Sequence, residues 1–145
     1  MRIKLIVVGK MHQPFLGLVE QYLKRCGRFQ VAVELIELKE NKKVEEKILT
    51  KAEKDFLILL DENGQEKNSR ELAEFFDQKM MDGRDLALVI GGADGHSEDL
   101  KQQADFLLSL SRLTLPHELA TVVCAETIYR SLSISNGHPY HRGIT

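Results

Sequence analysis

Apolar positions along this 145-residue chain fall into short blocks whose spacing switches between the period of a strand and that of a helix. The first block, RIKLIVV, is short, rich in β-branched residues and closed by Gly9, which predicts a strand. Next, Phe15, Leu18, Val19, Tyr22 and Leu23 recur at helical spacing between Pro14 and Gly27. That is an amphipathic helix opened by proline and ended by glycine. VAVELIEL alternates, with Val31, Val33 and Leu35 to one side, and predicts a second strand. A Lys- and Glu-rich helix is expected from about residue 44 to 54, and the near-continuous apolar run FLILLD fits a parallel strand buried on both faces.

The pattern continues in the same alternation. ENGQEKN has the composition of a polar loop, after which Asn68 or Ser69 can cap a helix through Met81 that Gly83 ends. LALVI predicts a fourth buried strand running into GGADGH. Ser97 caps a short helix whose first turn carries Glu98 and Asp99, where negative charge suits the positive helix end. FLLSLS predicts a fifth strand, RLTLPH a loop, and a last helix runs from Glu118 to about Leu132. Five strands alternating with helices imply an α/β fold, a mostly parallel sheet flanked by helices. No repeat or linker divides the chain, so residues 1–145 form a single domain.

Composition narrows the class. The opening MRIKLIVVGK has a basic residue and an apolar stretch, but the stretch is short, contains Lys4 and lacks a small-residue cleavage site, so a cytoplasmic protein is expected. No apolar run approaches the roughly 20 residues of a membrane span. Cys26 and Cys124 are isolated and read as small apolar residues on helices. The net charge of -2 argues against binding nucleic acid by a broad basic face. It is unevenly spread, since residues 106–145 hold only Glu118 and Glu126 against Arg112, Arg130 and Arg142. An anionic partner is therefore expected at the C-terminal part.

In open parallel sheets ligands bind outside the carboxyl ends of strands, here LLDENG, IGGADGHS and LSRLTLPH. Gly91, Gly92 and Gly95 let backbone approach a ligand closely, or simply turn the chain from strand to helix. The spacing is not GxGxxG and no P-loop lysine follows. The apolar RLTLPH loop can hold a flat aromatic group such as adenine, or can plug the core beneath it. The last helix is apolar nearly all round, which suggests a subunit interface. Glu126 and Arg130 stand at i and i+4, a spacing that pairs them on a helix surface. In the tail, His138, Tyr140, His141 and Arg142 are equipped to hold a base and its phosphate, or to dock the terminus. No acid or cysteine stands beside the histidines to complete a metal site.

The succession IGGADG, LSLSRLTLPHELATVV and ETIYRSLSISNGHPYHR resembles the RlmH family of SPOUT methyltransferases. These small bacterial enzymes methylate N3 of a pseudouridine in 23S ribosomal RNA. The resemblance covers essentially the whole chain, from KLIVVGK and LLDENG to the end. It implies a SPOUT-type fold with a C-terminal trefoil knot, an exception to the rule against threaded loops. It further implies a homodimer, an S-adenosyl-L-methionine pocket and no metal. Matched residue by residue, Leu60, Gly91, Gly92, Ser111, Arg112, Leu113, Thr114, Leu115 and Pro116 fall on cofactor-binding positions. Ala93 replaces a familiar proline, and His96 stands where relatives commonly have an apolar residue.

N3 of pseudouridine becomes a good nucleophile only when its imide proton leaves, and histidine titrates near neutrality. That makes His141 the candidate base, with His138 or a water as the alternative. Tyr140 would stack on or hydrogen-bond the base, Arg142 contact phosphate and Arg130 stabilise the imide anion. The modest charge fits an enzyme that acts on 23S rRNA in the assembled ribosome. A non-catalytic ribosome- or RNA-binding factor with the same fold is the other expectation. A hydrolase is disfavoured by the lack of a GxSxG turn.

Overall fold

A computed structural model describes residues 1–142. Strand β1 spans Arg2–Val8, α1 Phe15–Cys26, β2 Ala32–Leu38, α2 Val44–Lys51, β3 Phe56–Glu66 and α3 Ser69–Met81. They are followed by β4 Leu86–Ile90, α4 Glu98–Gln103, β5 Phe106–Ser109 and α5 His117–Ser135. The five strands form one sheet in the order β2-β1-β4-β3-β5, with every pair parallel. Connections between parallel strands must cross a face, and the helices are those crossings.

Both faces of the sheet are covered, which explains the unbroken apolar runs. Ile3, Leu5 and Val7 of β1 and Leu86, Leu88 and Ile90 of β4 point into one core, against α1, α3 and α5. Ile6, Val8, Ala87 and Val89 point into the other, against Ile48 of α2 and Leu100 of α4. Helix α5 packs between α1 and α3 through Cys124, Ala125, Ile128, Tyr129 and Leu132. Cys26 and Cys124 are both buried thiols, and burial pushes each up to about 12, where they are inert.

Capping follows the sequence closely at two helices. The Asn68 side chain accepts from the Glu71 N–H while the Glu71 carboxylate accepts from the Asn68 N–H, a capping box that starts α3. Ser97 Oγ accepts from the Leu100 N–H at 3.1 Å and starts α4.

Elsewhere the structure departs from expectation. Gly27 does not stop α1 with a left-handed turn: its φ is -58°, the chain continues through a 3-10 turn at Gly27–Phe29, and Gln30 takes the left-handed conformation at φ 61°. Helix α2 ends at Lys51, three residues early, and α5 runs on to Ser135. The polar stretch after FLILLD is not a loop. It extends β3 to Glu66, pairing Gln65 with Leu108 and Glu66 with Ser109 after a register shift beyond Leu60. Gly64 permits this, because a Cβ there would lie 2.6 Å from the Leu107 carbonyl oxygen.

Candidate active site

A cleft of about 620 Å³ opens over the carboxyl ends of β3, β4 and β5 and reaches the first turn of α5. Its size is that of a small-molecule site. Each wall forms for a local reason. After β4, the Gly95 N–H donates to the Gly92 carbonyl at 3.0 Å and Gly95 takes φ 68°, so the chain reverses within four residues. Gly91 is backed by the His96 ring, whose Cε1 would lie 3.0 Å from a Cβ at that position. A Cβ on Gly92 would meet the Glu40 carboxylate at 2.6 Å.

The loop after β5 is tied at both ends. Ser109 Oγ donates to the Ser111 carbonyl at 3.0 Å, the Leu113 N–H donates to Ser111 Oγ at 3.0 Å, and Thr114 Oγ1 donates to the Glu62 carboxylate at 2.9 Å. Pro116 then enters α5 with an extended ψ of 148°. Leu113 remains 74% exposed at the mouth. The loop therefore does not plug the core; it offers apolar side chains to the cleft.

The electrostatics are acidic. Asp61, Glu62 and Asp94 line the cleft together with Lys101. Lys101 Nζ sits 3.0 Å from Asp61. Burial works to raise the Asp61 carboxyl, but the Asn63 N–H and the Lys101 ammonium outweigh it and hold it below the ordinary carboxylate range. His96 is lowered, chiefly by burial, against the opposing Val89 carbonyl, Glu45 and Asp61. Its Nε2 is buried with no hydrogen-bond partner among the described residues.

A second cluster forms where the tail folds back along α5. Arg130 grips Glu126 with Nη2 at 2.6 Å and Nε at 3.1 Å from Oε2. Tyr140 Oη donates to the same oxygen at 2.8 Å, and Arg130 lies 4.8 Å from the centroid of the Tyr140 ring. His141 Nδ1 is 2.9 Å from Arg130 Nη1. Burial, then Tyr22 and Glu126, push the Tyr140 phenol above its ordinary value. Hydrogen bonding to Glu126 raises the Arg130 guanidinium further. The Tyr140 ring meets Tyr129 edge-on at 4.7 Å and the His138 ring meets Phe29 edge-on at 5.7 Å, so His138 and Tyr140 are docked onto the body.

Of the residues matched to cofactor positions, Leu60, Gly91 and Gly92 line the cleft, as do Ser111, Leu113, Thr114, Leu115 and Pro116. Arg112 does not: its side chain is 85% exposed and its Nε lies 3.3 Å from Glu66. Of the tail residues, Arg130, Tyr140 and His141 meet, whereas Arg142 is exposed. The two clusters do not meet within one chain. The cleft touches α5 at His117 and Ala120, and Arg130 lies ten residues further along, about 15 Å at the helical rise. Sequence reasoning overlooked Lys101 and Asp61 as a pair, although LLDENG ends a strand where ligand groups are expected.

A family model described as a predicted SPOUT methyltransferase matches residues 1–141. The chain is 42% identical over 155 residues to the ribosomal RNA large subunit methyltransferase H of Methylobacillus flagellatus, covering 98% of this chain and 99% of that protein. It is 43% identical over 149 residues to the protein of the same name from Deinococcus radiodurans, covering 99% and 100%. Among solved structures, a probable methylase family protein from Haemophilus influenzae superposes with a TM-score of 0.62 at 12% identity, over 97% of this chain and 70% of that one. A putative methylase family protein from Neisseria gonorrhoeae gives 0.59 at 12% identity, over 99% and 87%. The chain belongs to the SPOUT methyltransferase family, in its ribosomal RNA large subunit methyltransferase H branch. It is an S-adenosylmethionine-dependent methyltransferase.

Proposed function

We propose that this enzyme methylates N3 of a pseudouridine in 23S ribosomal RNA, acting on assembled ribosomes as a cytoplasmic homodimer with the C-terminal trefoil knot of its family. The observation that carries the reading is the cleft over β3, β4 and β5, in a chain similar along its length to proteins named for methylating large-subunit RNA.

The cleft fits the cofactor by its chemistry. Leu113, Leu115 and Pro116 supply apolar contact for an adenine ring, the glycine loop admits close backbone approach, and Asp61, Glu62 and Asp94 favour a cation. When bound, S-adenosylmethionine supplies an electrophilic methyl group on a positively charged sulfur. The chain's own task is to align the target base and remove its proton, and alignment carries much of the rate.

The tail cluster supplies groups for that task. Arg130 holds the Nδ1 lone pair of His141. As negative charge develops on the imide, the guanidinium turns to it and frees Nδ1 to take the proton. Tyr140, fixed by Glu126, presents its ring to the base, and exposed Arg142 reaches phosphate.

The separation of tail and cleft along α5 supports the homodimer: a second copy packed antiparallel on α5 brings the tail of one chain to the cleft of the other. The half-buried face of that helix, with Leu119 at 39% exposure, is apolar enough for such a contact. Calorimetric titration with S-adenosylmethionine tests the cofactor, and mass mapping of rRNA from a deletion strain identifies the nucleotide. Equal turnover on naked 23S rRNA would overturn the ribosome assignment, and a strictly monomeric active enzyme would overturn the dimer.

A further inference from the structure

Helix α2 carries a feature that serves neither the core nor the cleft. Lys43, at its N-cap, and Lys47 and Lys51 within it are spaced four residues apart. They share one face at steps of about 6 Å. Ile48 and Ala52, each one residue further on, turn to the buried side. All three lysines are exposed, and among the described residues none has a carboxylate within 4.0 Å. Like charges four apart on a helix repel, so the spacing of these lysines adds no support to the helix.

The acids of the same segment are directed elsewhere. Glu45 accepts from the Ser97 N–H at 2.9 Å and from the Ser97 hydroxyl. Glu40 packs on Gly92. Both contacts bring the start of α2 against the loop that forms one wall of the cleft. Lys43 therefore stands at the cleft end of the helix, and Lys47 and Lys51 step away from it along one face. Between them, with Glu46 and Thr50, lies a shallow depression of about 220 Å³. The exposed large apolar side chains of the described residues are Leu18, Met81, Leu113 and Leu119, none of them on α2.

We propose that the Lys43–Lys47–Lys51 ridge is a docking surface for the ribose–phosphate backbone of the RNA that the enzyme methylates. The inference rests on the ribosomal RNA reading above and adds a surface to it. Lysine is a mobile point charge suited to phosphate, and backbone contacts set register without reading bases. An acidic protein segment would want large apolar anchors beside the charges, and no large apolar side chain of α2 is exposed to serve as one. The overall charge of -2 concealed this surface, since the first 105 residues are acidic in sum.

The test is a full-length Lys43→Gln/Lys47→Gln/Lys51→Gln variant, with Lys47→Gln alone as a graded control, assayed on ribosomes lacking the methyl group. The expected result is a KM for ribosomes raised about tenfold or more near 0.1 M salt, and a salt slope of log(kcat/KM) reduced by about 2. Cofactor affinity by calorimetry and kcat should stay within about twofold, which also reports correct folding, and the single variant should show about a third of the slope change. Unchanged KM and slope while the wild type methylates ribosomes overturns the ridge alone. A raised KM with an unchanged slope means that the lysines release no counterions from phosphate, and also overturns it. A wild type that methylates no ribosomal RNA overturns the substrate reading and the ridge with it.

Discussion

Arg130 donates from Nη1 to Nδ1 of His141 across 2.9 Å. A guanidinium has no acceptor, so Nδ1 must carry the lone pair, and the neutral ring holds its proton on Nε2. The two residues therefore act as a unit, the cation occupying the lone pair that it must release before His141 can take a proton. Replacing Arg130 with Ala should lower single-turnover methylation by about 10²-fold or more, with cofactor affinity by calorimetry changed less than about twofold. Lys at this position should restore part of the rate, as it keeps the charge but not the planar grip.

Glu126 organises that unit, since Arg130 and Tyr140 both bond its Oε2. Glu126→Gln should let the Tyr140 phenol ionise closer to its ordinary range, read by ultraviolet absorbance during alkaline titration. Burial and Tyr22 remain, so the value should stay somewhat raised. The pair is about three-quarters buried, and its loss should cost about 1 kcal/mol, or roughly 2–4 °C in Tm.

His96 sets a pH dependence of stability. Burial holds its folded-state pKa below the unfolded value of 6.5, against Glu45 and Asp61 and with Lys101 reinforcing the depression. The unfolded chain then binds more protons between the two values, so stability rises with pH through that window and is lost as pH falls from about 6.5. Thermal melts from pH 7.5 to 5 should show this decline, and His96→Leu should flatten it. An unchanged slope in that variant would assign the effect to other groups.

Two glycines should respond oppositely to alanine. At Gly64 the new Cβ meets the backbone of Leu107 at 2.6 Å, which a flexible side chain cannot relieve. Gly64→Ala should lower stability by about 1–3 kcal/mol and disturb the β3–β5 edge beside the cleft. At Gly27 nothing lies within 4 Å and φ is -58°. Gly27→Ala should raise stability by about 0.4–1 kcal/mol. Chemical denaturation of both variants checks the contrast.

What the chain specifies locally is legible in its residues alone. The period of LALVI, the Asn68–Glu71 box and the Ser97 cap each act over a few neighbours, so strands, helices and the loops after strand ends follow from short windows. A loop following a parallel strand has a known place, which marked the glycine loop and the RLTLPH loop as candidate walls but left a plain turn and a core plug equally open. Tertiary structure alone decided the strand order, the pairing of polar ENGQE with β5 and the Asp61–Lys101 pair. It also decided that the tail folds back on Glu126 yet stands about half the length of α5 from the cleft. These depend on contacts between residues 14 to more than 80 apart, where composition does not say which polar group finds which. The charge sum likewise hid the α2 lysines, because it discards the direction in which each side chain faces.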